Sequence, residues 1–473
     1  MNTSAPNIVI IHADQYRHDC FSLRGHPVLQ TPNLDYLAHS GADFTRAYSE
    51  CPICIPARHT VLTGMDPQAT GVMGFETRAR IARPEATLSE LFKQAGYQTA
   101  HVGRDWHQYP AHAHYGFEMY EADPFDEYYS RFQSLNIPGS NHRDRPNWPH
   151  FAQHAVGPNS ICARPWPYSE EFHQTNFAVN KGIEFLNRRD LERPFLLSLG
   201  TVAPHPPLVP PAYYLEKYLR RDVGEPVIGS WAEPPGTPVS PQAGRQRLEG
   251  HQLRETKAGY YGLINHLDDQ LALFLTKLHS KVENVYVFFI SDHGEMLGDH
   301  YFYRKSLPYE GSAHIPFFLS GPGIPEGTQV SRPVGLQDVL PTCCDIAGFN
   351  VPEHVTGRSL LPLARGEEDT LRDWLHGEHA QMKGVFPGMH YLTDGHEKYI
   401  WFADGLEQLF DLDSDPHELE NLSGSTNHQT TMERWRGRLI ERLKDRPEGF
   451  SDGTRLILNQ PFHKSNSRAK VDP

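Results

Sequence analysis

The chain has 473 residues, of which 38% are hydrophobic and 22% are charged, a composition typical of a soluble globular protein with one large domain and a smaller companion or with two similar domains. Its formal net charge of -14 argues against nucleic acid or an anionic membrane surface as the main partner, because both require a basic surface. No segment approaches the roughly eighteen apolar residues of a membrane span. The start of the chain lacks the basic and apolar segments of a secretory leader, which predicts a cytoplasmic protein.

The predicted secondary structure alternates strands and helices. Residues 7–11 and 285–290 are β-branched and aromatic runs that predict buried strands, and each is followed at once by polar residues. Residues 87–95, with Thr87 or Ser89 as N-cap and Gly96 as a stop, predict a helix, as do residues 258–278. Strands that alternate with amphipathic helices predict an α/β domain whose large, mostly parallel sheet is flanked by helices.

Two irregular segments and a change of character near residue 366 complete the predicted organisation. Residues 132–169 and 223–246 lack a clear period and predict long loops that act as lids or substrate walls. Two β-rich runs around Asp394-Gly395, within 388–402, predict a hairpin, and residues 430–444 predict a helix. We therefore predict a larger domain over 1–366 and an α+β subdomain with an antiparallel sheet over 367–473, whose polar end, 459–473, is a candidate swapped arm in a homo-oligomer.

Polar side chains follow both predicted strands. Asp14 and Gln15 come after the first strand, and Asp292 and His293 come after the second. Because the carboxyl ends of parallel strands meet at one edge of a sheet, the two carboxylates, the Gln15 carbonyl and the imidazole are expected to converge. This donor set suits Ca²⁺, Mg²⁺, Mn²⁺ or Zn²⁺. The alternative for either strand end alone is an ordinary capping or turn residue.

A third group of residues is centred on Cys54, which begins a Cys-x-Pro-x-Arg string that ends at Arg58 and runs on, helix-like, to Gly64. A short pattern of this kind also occurs by chance around a buried cysteine beside a turn proline, so its context decides. That context is an ordered set of motifs over nearly the whole chain: Thr31-Pro-Asn-Leu-Asp35, Gly96-Tyr97, Val102-Gly103, Pro204-His205-Pro206, Ser291-Asp-His-Gly-Glu295, Lys305, Tyr309-Glu310-Gly311, Leu409-Phe-Asp-Leu412 and Asp415-Pro416.

Together these motifs resemble the signature of the type I, formylglycine-dependent sulfatases of the alkaline-phosphatase superfamily. The resemblance implies an alkaline-phosphatase-like α/β sandwich, with the catalytic machinery in residues 1–366. It implies hydrolysis of a sulfate monoester, such as a sulfated carbohydrate or an aryl sulfate. It further implies that a formylglycine-generating enzyme oxidises Cys54 to an aldehyde, which is hydrated and then activated by one divalent metal ion, with Ca²⁺ the first expectation.

The resemblance also assigns roles to individual residues. The implied metal ligands are the strand-end residues and the nucleophile: Asp14, Gln15, Cys54, Asp292 and His293. Arg58 is expected to anchor the modified side chain, and Lys305 to hold a sulfate oxygen, because an oxyanion out of water needs fixed donors. His107 and His205 are expected to protonate the leaving alcohol and to accept a proton from the nucleophile, since imidazole titrates near neutrality.

Two departures from the common sulfatase pattern leave alternatives open. Many sulfatases have two adjacent aspartates at the first strand and an Asp-Asn pair at the second, whereas Gln15 and His293 stand here, a variant similar to choline sulfatases and phosphonate monoester hydrolases. Between Gly103 and His107, an extra residue means that either Arg104 replaces the usual lysine or Asp105 takes its place and repels sulfate. The alternative functions are therefore hydrolysis of a phosphonate monoester or phosphodiester on the same site, and a catalytically inactive binding protein.

Overall fold

The computed structural model describes residues 5–110, 112–122, 159–236, 244–367, 371–381 and 387–462. The centre of the fold is a mixed, mostly parallel sheet of eight strands. In spatial order they are β5 (Met119–Glu121), β4 (Gln98–Gly103), β6 (Phe195–Pro204), β1 (Asn7–Asp14), β7 (Val285–Ser291), β8 (Phe317–Ser320), β2 (Ala42–Phe44) and β9 (Thr328–Val330). β1 lies between β6 and β7 and is parallel to both, and β8 runs antiparallel to its two neighbours. The predicted sheet and its two sequence-predicted strands are confirmed.

Helices cover both faces of this sheet. Alternate side chains of β1 belong to two apolar cores on opposite faces of the sheet: Val9 and Ile11 to one, and Ile8 and Ile10 to the other. The helices are α1 (Pro32–His39), α2 (Cys54–Thr63), α3 (Pro67–Thr70), α4 (Leu88–Gln94), α5 (Gln174–Arg188), α6 (Ala212–Leu219), α7 (Gly250–His279), α8 (Glu310–Ala313), α9 (Val339–Ala347), α10 (Leu361–Ala364) and α11 (Gln429–Leu443). Short 3-10 helices lie at Ser22–Arg24, Pro84–Ala86, Glu170–Phe172, Asp299–Tyr301, Leu336–Asp338, Leu422–Gly424 and Thr426–His428.

Two predicted helices illustrate what local sequence does and does not indicate. α4 begins where predicted, because the Thr87 side chain accepts a hydrogen bond from the Glu90 amide as its N-cap. α7 begins eight residues before the predicted start at residue 258. Its first turns are rich in polar residues, and the continuous buried run begins only near Thr256, so the apolar pattern marks the packed part of the helix alone.

The smaller sheet is antiparallel, in the order β11 (Leu375–His379), β12 (Met389–Thr393), β13 (Glu397–Phe402) and β14 (Glu407–Asp411). The predicted hairpin is confirmed: Met389 pairs with Phe402, and the turn glycine, Gly395, has a φ of 89°. α11 packs through Trp435 on one face of the sheet, and the opposite face, with Ile400 and others, packs on side chains of the larger domain. A further pair of short parallel strands is β3 (Ala47–Tyr48) with β10 (Val334–Gly335).

Parts of the predicted loops and tail fall outside the described residues: 132–158 of the first loop, 237–243 of the second, and 463–473 of the tail. The boundary between residues 366 and 367 stays a prediction. None of the helices in the described ranges has the length and apolar character that a membrane crossing requires.

Candidate active site

The ends of β1 and β7 bring together the residues that the sequence predicts to bind metal. Ala13 and Ser291 are paired across the two parallel strands, so Asp14 and Asp292 follow side by side. Gln15, with a φ of 73°, turns the chain away from the direction of β1, and its backbone N–H donates to Asp292 Oδ1 at 3.1 Å. His293 completes the group, and its Nδ1 bonds to the Gly294 carbonyl at 3.0 Å, which leaves Nε2 free of a proton and facing the carboxylates.

Cys54 lies against this group at the first residue of α2. Its Sγ is 3.2 Å from His293 Nε2 and 3.8 Å from Asp14 Oδ1. Burial, followed by the charge of Asp14, raises the pKa of the thiol to about 12. The protein environment alone therefore does not activate Cys54 as a thiolate, in contrast to cysteine nucleophiles whose pKa is lowered.

The donor set fits one divalent cation. Asp14, Cys54, Asp292 and His293 each offer a ligand atom, and these atoms all lie within 4.8 Å of one another in a buried position. The two carboxylates direct Oδ1 towards His293 Nε2, at 3.7 Å from Asp14 and 3.5 Å from Asp292. Two carboxylate oxygens and one imidazole nitrogen form a hard-to-borderline site, as predicted.

Arg58 binds the other oxygen of each carboxylate. Its Nη2 donates to Asp14 Oδ2 at 2.9 Å and to Asp292 Oδ2 at 3.0 Å, and its side chain is 1% exposed. Burial by itself would raise the pKa of Asp14, but neighbouring basic groups, first His205 and then Arg58 and Arg104, hold it well below its usual value. Arg58 thus binds both carboxylates and, through Nη1, the Asp105 carbonyl, and none of these hydrogen bonds is to Cys54.

Of the two Gln15 carbonyls, the side-chain oxygen faces the site. The backbone oxygen accepts a hydrogen bond from the Tyr260 hydroxyl at 2.7 Å. The side-chain Oε1 accepts from Lys305 Nζ at 2.6 Å. This contact also places the ammonium group that the sequence assigns to sulfate next to a predicted metal ligand.

Both predicted proton-transfer histidines lie near these charges. His205 Nδ1 is 2.5 Å from the Pro206 carbonyl, so its Nε2 is the free acceptor. Burial, then Lys305, lowers the pKa of His205 well below its ordinary value. Burial, then Arg104, does the same to the pKa of His107, whose Nε2 is 3.2 Å from Arg104 Nη2. The ring of Phe75, which is 51% exposed, lies edge-on to His107 with centroids 6.0 Å apart.

The structure decides which residue of the inserted pair points into the site. Arg104 Nε donates to Asp14 Oδ2 at 3.0 Å, and its Nη1 holds Asp105 Oδ1 at 3.1 Å. The Asp105 carboxylate is therefore neutralised by Arg104, and the cation lies next to the predicted metal ligands.

Comparison with known proteins places this geometry in a family. The family model described as Sulfatase matches residues 6–349. This chain belongs to the sulfatase family. A second model, described as the C-terminal region of N-sulphoglucosamine sulphohydrolase, matches residues 298–445.

Similar sulfatases extend over nearly the whole chain. An arylsulfatase of Clostridium perfringens is 36% identical over 96% of this chain and 98% of its own length, and a choline-sulfatase of Rhizobium meliloti is 28% identical over 89% and 83%. Among solved structures, the phosphonate monoester hydrolase of Agrobacterium radiobacter superposes with a TM-score of 0.78 at 26% identity, covering 92% of this chain and 95% of that one. The resemblance inferred from the motifs is confirmed.

Sequence reasoning missed two residues of this sulfatase-family site. The Glu295 carboxylate accepts a hydrogen bond from the side-chain amide of Gln15, and the Tyr260 hydroxyl donates to the backbone carbonyl of Gln15. Glu295 stands inside the quoted Ser-Asp-His-Gly-Glu string, which was a usable signal, whereas Tyr260 lies on α7 far from any motif.

Proposed function

We propose that this chain hydrolyses a sulfate monoester, consuming one water and releasing an alcohol and inorganic sulfate, with Cys54 oxidised to formylglycine as the nucleophile. The observation that carries the proposal is the position of Cys54 Sγ, 3.2 Å from His293 Nε2 at the start of a buried helix in a sulfatase-family chain. The raised pKa of the thiol supports a modified residue rather than a thiolate at this position. The modification makes a formylglycine-generating enzyme a required partner.

The residues that would hold the metal ion are Asp14, Gln15 Oε1, Asp292 and His293, with the residue at position 54 completing the set. Ca²⁺ remains the first expectation because oxygen donors predominate, and His293 admits Mn²⁺ or Zn²⁺. A divalent ion there supplies Lewis-acid charge and lowers the pKa of a bound hydroxyl. Arg58 would hold Oδ2 of both carboxylates, which leaves Oδ1 of each on the side of His293.

Cationic side chains would bind the sulfate group. Lys305 and Arg104 bring two positive charges beside the nucleophile, within a chain whose net charge is -14. Fixed donors of this kind stabilise the charge on the sulfuryl oxygens as the ester bond breaks. The hydrated aldehyde of formylglycine supplies one hydroxyl to attack sulfur and a second through which sulfate departs without attack of water on sulfur.

His205 and His107 would transfer the two protons. With pKa values lowered by burial, both imidazoles are neutral in the free protein at neutral pH and can accept a proton from the nucleophile. The imidazole that acts as acid gains its proton as the anionic substrate enters, because a neighbouring negative charge raises its pKa. Phe75, exposed beside His107, is placed to contact an apolar or ring-shaped leaving group.

A second candidate reaction is hydrolysis of a phosphonate monoester or phosphodiester on the same residues. Gln15 and His293, together with similarity to the Agrobacterium radiobacter enzyme, favour it. The test is a comparison of kcat/KM for 4-nitrophenyl sulfate, phenyl phosphonate esters and bis(4-nitrophenyl) phosphate, using protein co-expressed with a formylglycine-generating enzyme.

We expect the sulfate ester to be hydrolysed with the highest kcat/KM. Cys54→Ala abolishes turnover with the fold intact, whereas Cys344→Ala, a buried cysteine on α9, retains it. Preference for the phosphodiester would move the assignment to the second reaction, and equal activity of Cys54→Ala and parent would contradict both.

A further inference from the structure

The side-chain amide of Gln15 lies between two opposite charges. Gln15 is fully buried, its Nε2 donates to Glu295 Oε2, and its Oε1 accepts from Lys305 Nζ at 2.6 Å. A carboxylate can only accept a hydrogen bond and an ammonium group can only donate one. A single orientation of the amide therefore satisfies both neighbours, and in it the oxygen faces Lys305.

Glu295 is itself held in one orientation. Its side chain is buried, and Oε1 accepts the backbone amide of Leu297 at 2.9 Å together with that of Arg304. Backbone hydrogen bonds hold these two donors in place, from Met296 to the Arg304 carbonyl at 2.7 Å and from Gly298 to the Phe302 carbonyl at 2.8 Å. Oε2 is thereby the oxygen presented to Gln15.

The Gln15 oxygen on the side opposite Glu295 contacts Lys305, which lies beside the catalytic group of residues. The backbone N–H of Gln15 donates to Asp292 Oδ1 at 3.1 Å. Lys305, which contacts Gln15 Oε1, is close enough to Cys54 for its positive charge to oppose the rise in the pKa of the thiol. The backbone carbonyl is engaged by Tyr260. Each carbonyl oxygen of Gln15 thus accepts one hydrogen bond, but the donor to Oε1 is Lys305, whose charge acts on Cys54, so Oε1 is the oxygen on the side of the catalytic residues.

We infer that Glu295 is a positioning residue that fixes the Gln15 amide with Oε1 towards the metal ion and Lys305. The inference rests on the proposed metal-dependent function. It also accounts for the departure at Gln15: the negative charge that a second aspartate would carry lies directly behind the amide, on Glu295. A carboxylate on the nitrogen side polarises the amide and strengthens its oxygen as a donor.

Glu295→Gln tests the inference because it replaces one carboxylate oxygen by an NH₂ group and leaves the rest of the side chain unchanged. The new amide must still accept the Leu297 and Arg304 backbone donors through its oxygen, so its NH₂ group faces Gln15. Gln15 then has to turn over, which directs its own NH₂ group at Lys305 and the metal ion. Loss of an orienting partner of this kind typically lowers metal affinity about 10- to 100-fold.

Substitution of Gln15 by glutamate, alone and together with Glu295→Gln, tests whether the pairing of one carboxylate with one amide is what matters. Gln15→Glu alone opposes two carboxylates and is expected to weaken metal binding as well. In the double variant Gln15→Glu, Glu295→Gln the carboxylate and the amide exchange places and the net charge equals that of the parent, so affinity recovers to within about tenfold of the parent. A role in folding alone does not predict this recovery.

The measurement is calorimetric titration of the metal-stripped full chain with Ca²⁺, Mg²⁺, Mn²⁺ and Zn²⁺ in separate experiments. Glu407→Gln, which alters a carboxylate on β14 that is bound to Arg436, should leave the affinity unchanged. If Glu295→Gln does not fold, Gln15→Met removes the same amide from the other side and should lower affinity equally.

Parent-like affinity in Glu295→Gln or Gln15→Met would overturn the inference, as would a double variant no better than Glu295→Gln. A parent chain that binds none of the four ions contradicts the proposed metal-dependent function itself. A parent that binds an ion, combined with an unaffected Glu295→Gln, contradicts the positioning role alone.

Discussion

Replacing Arg58 by methionine tests how the two ligand carboxylates remain charged inside the protein. Arg58 Nη2 lies 2.9 Å from Asp14 Oδ2 and 3.0 Å from Asp292 Oδ2, and all three side chains are buried. Methionine fills much of the same volume without charge. The metal-free variant then contains two neighbouring carboxylates without their shared cation.

The expected loss of stability follows from these distances. At an effective dielectric constant of about 20, unit charges about 3 Å apart attract by about 5 kcal/mol, and the cost of removing both from water offsets a large part of that. Removing Arg58 nevertheless leaves Asp292 without its guanidinium partner, while Asp14 keeps the hydrogen bond from Arg104 Nε at 3.0 Å; breaking a buried pair in this way costs about 3–5 kcal/mol. We therefore expect Arg58→Met to lower the free energy of unfolding by that amount in the absence of metal.

Urea unfolding in EDTA and in saturating Ca²⁺ provides the assay. The loss should be smaller with Ca²⁺, because the bound ion replaces part of the missing positive charge. Arg372→Met is the matched control: Arg372 pairs with both oxygens of Asp338 at 2.7 and 2.6 Å away from the metal ligands, so its loss should not depend on Ca²⁺. A metal-free Arg58→Met protein within about 1 kcal/mol of the parent would refute the reasoning.

Three further predictions concern catalysis and pH. Lys305→Met should lower kcat/KM for 4-nitrophenyl sulfate about 10²- to 10³-fold in steady-state assays, since a fixed oxyanion donor is lost; an unchanged value rules out sulfate contact. His205→Ala and His107→Ala should each lower kcat about 10²- to 10⁴-fold. The histidine that acts as the acid is the one whose loss slows alkyl sulfates more than 4-nitrophenyl sulfate, because an alkoxide leaving group needs the proton more than 4-nitrophenolate does. Equal effects of both variants on both esters would contradict this division of roles. Burial lowers the pKa of His59 to about 4, and its ring nitrogens have no hydrogen-bond partner among the described residues. Because the unfolded chain binds a proton on His59 more tightly than the folded chain does, the contribution of His59 to stability is complete above pH 6.5 and is lost as the pH falls to about 4, by about 3 kcal/mol. The free energy of unfolding of His59→Leu should therefore depend less steeply on pH over this window. An unaltered slope argues against a neutral buried imidazole.

The metal ligands could be predicted because strand ends carry a strong local signal. Asp14 and Asp292 follow apolar runs that read as buried strands, and parallel pairing of β1 with β7 is enough to bring them together. Cys54 and Arg58 were identified by their motif. The pairing of Arg58 with both carboxylates had no signal in spacing, because it depends on how α2 packs against the sheet.

Other features depend on contacts between distant segments. Sequence left open whether Arg104 or Asp105 faces the site, since one inserted residue permits either register, and the hydrogen bond from Arg104 to Asp14 is what decides it. The choice between the two Gln15 carbonyls required the positions of Tyr260 and Lys305, which are more than two hundred residues away along the chain. The position of Phe75, exposed beside His107, could not be predicted either, because Phe75 belongs to no motif and the ring contact joins segments about thirty residues apart.

Mass spectrometry of the tryptic peptide that contains Cys54, combined with a sulfate-release assay on the same preparation, tests the central claim most directly. For protein made with a formylglycine-generating enzyme, we predict a loss of about 18 Da at position 54, the change from a cysteine side chain to an aldehyde. Specific activity should then rise in proportion to the fraction modified. Full activity in a preparation whose Cys54 is an unmodified thiol would contradict the account.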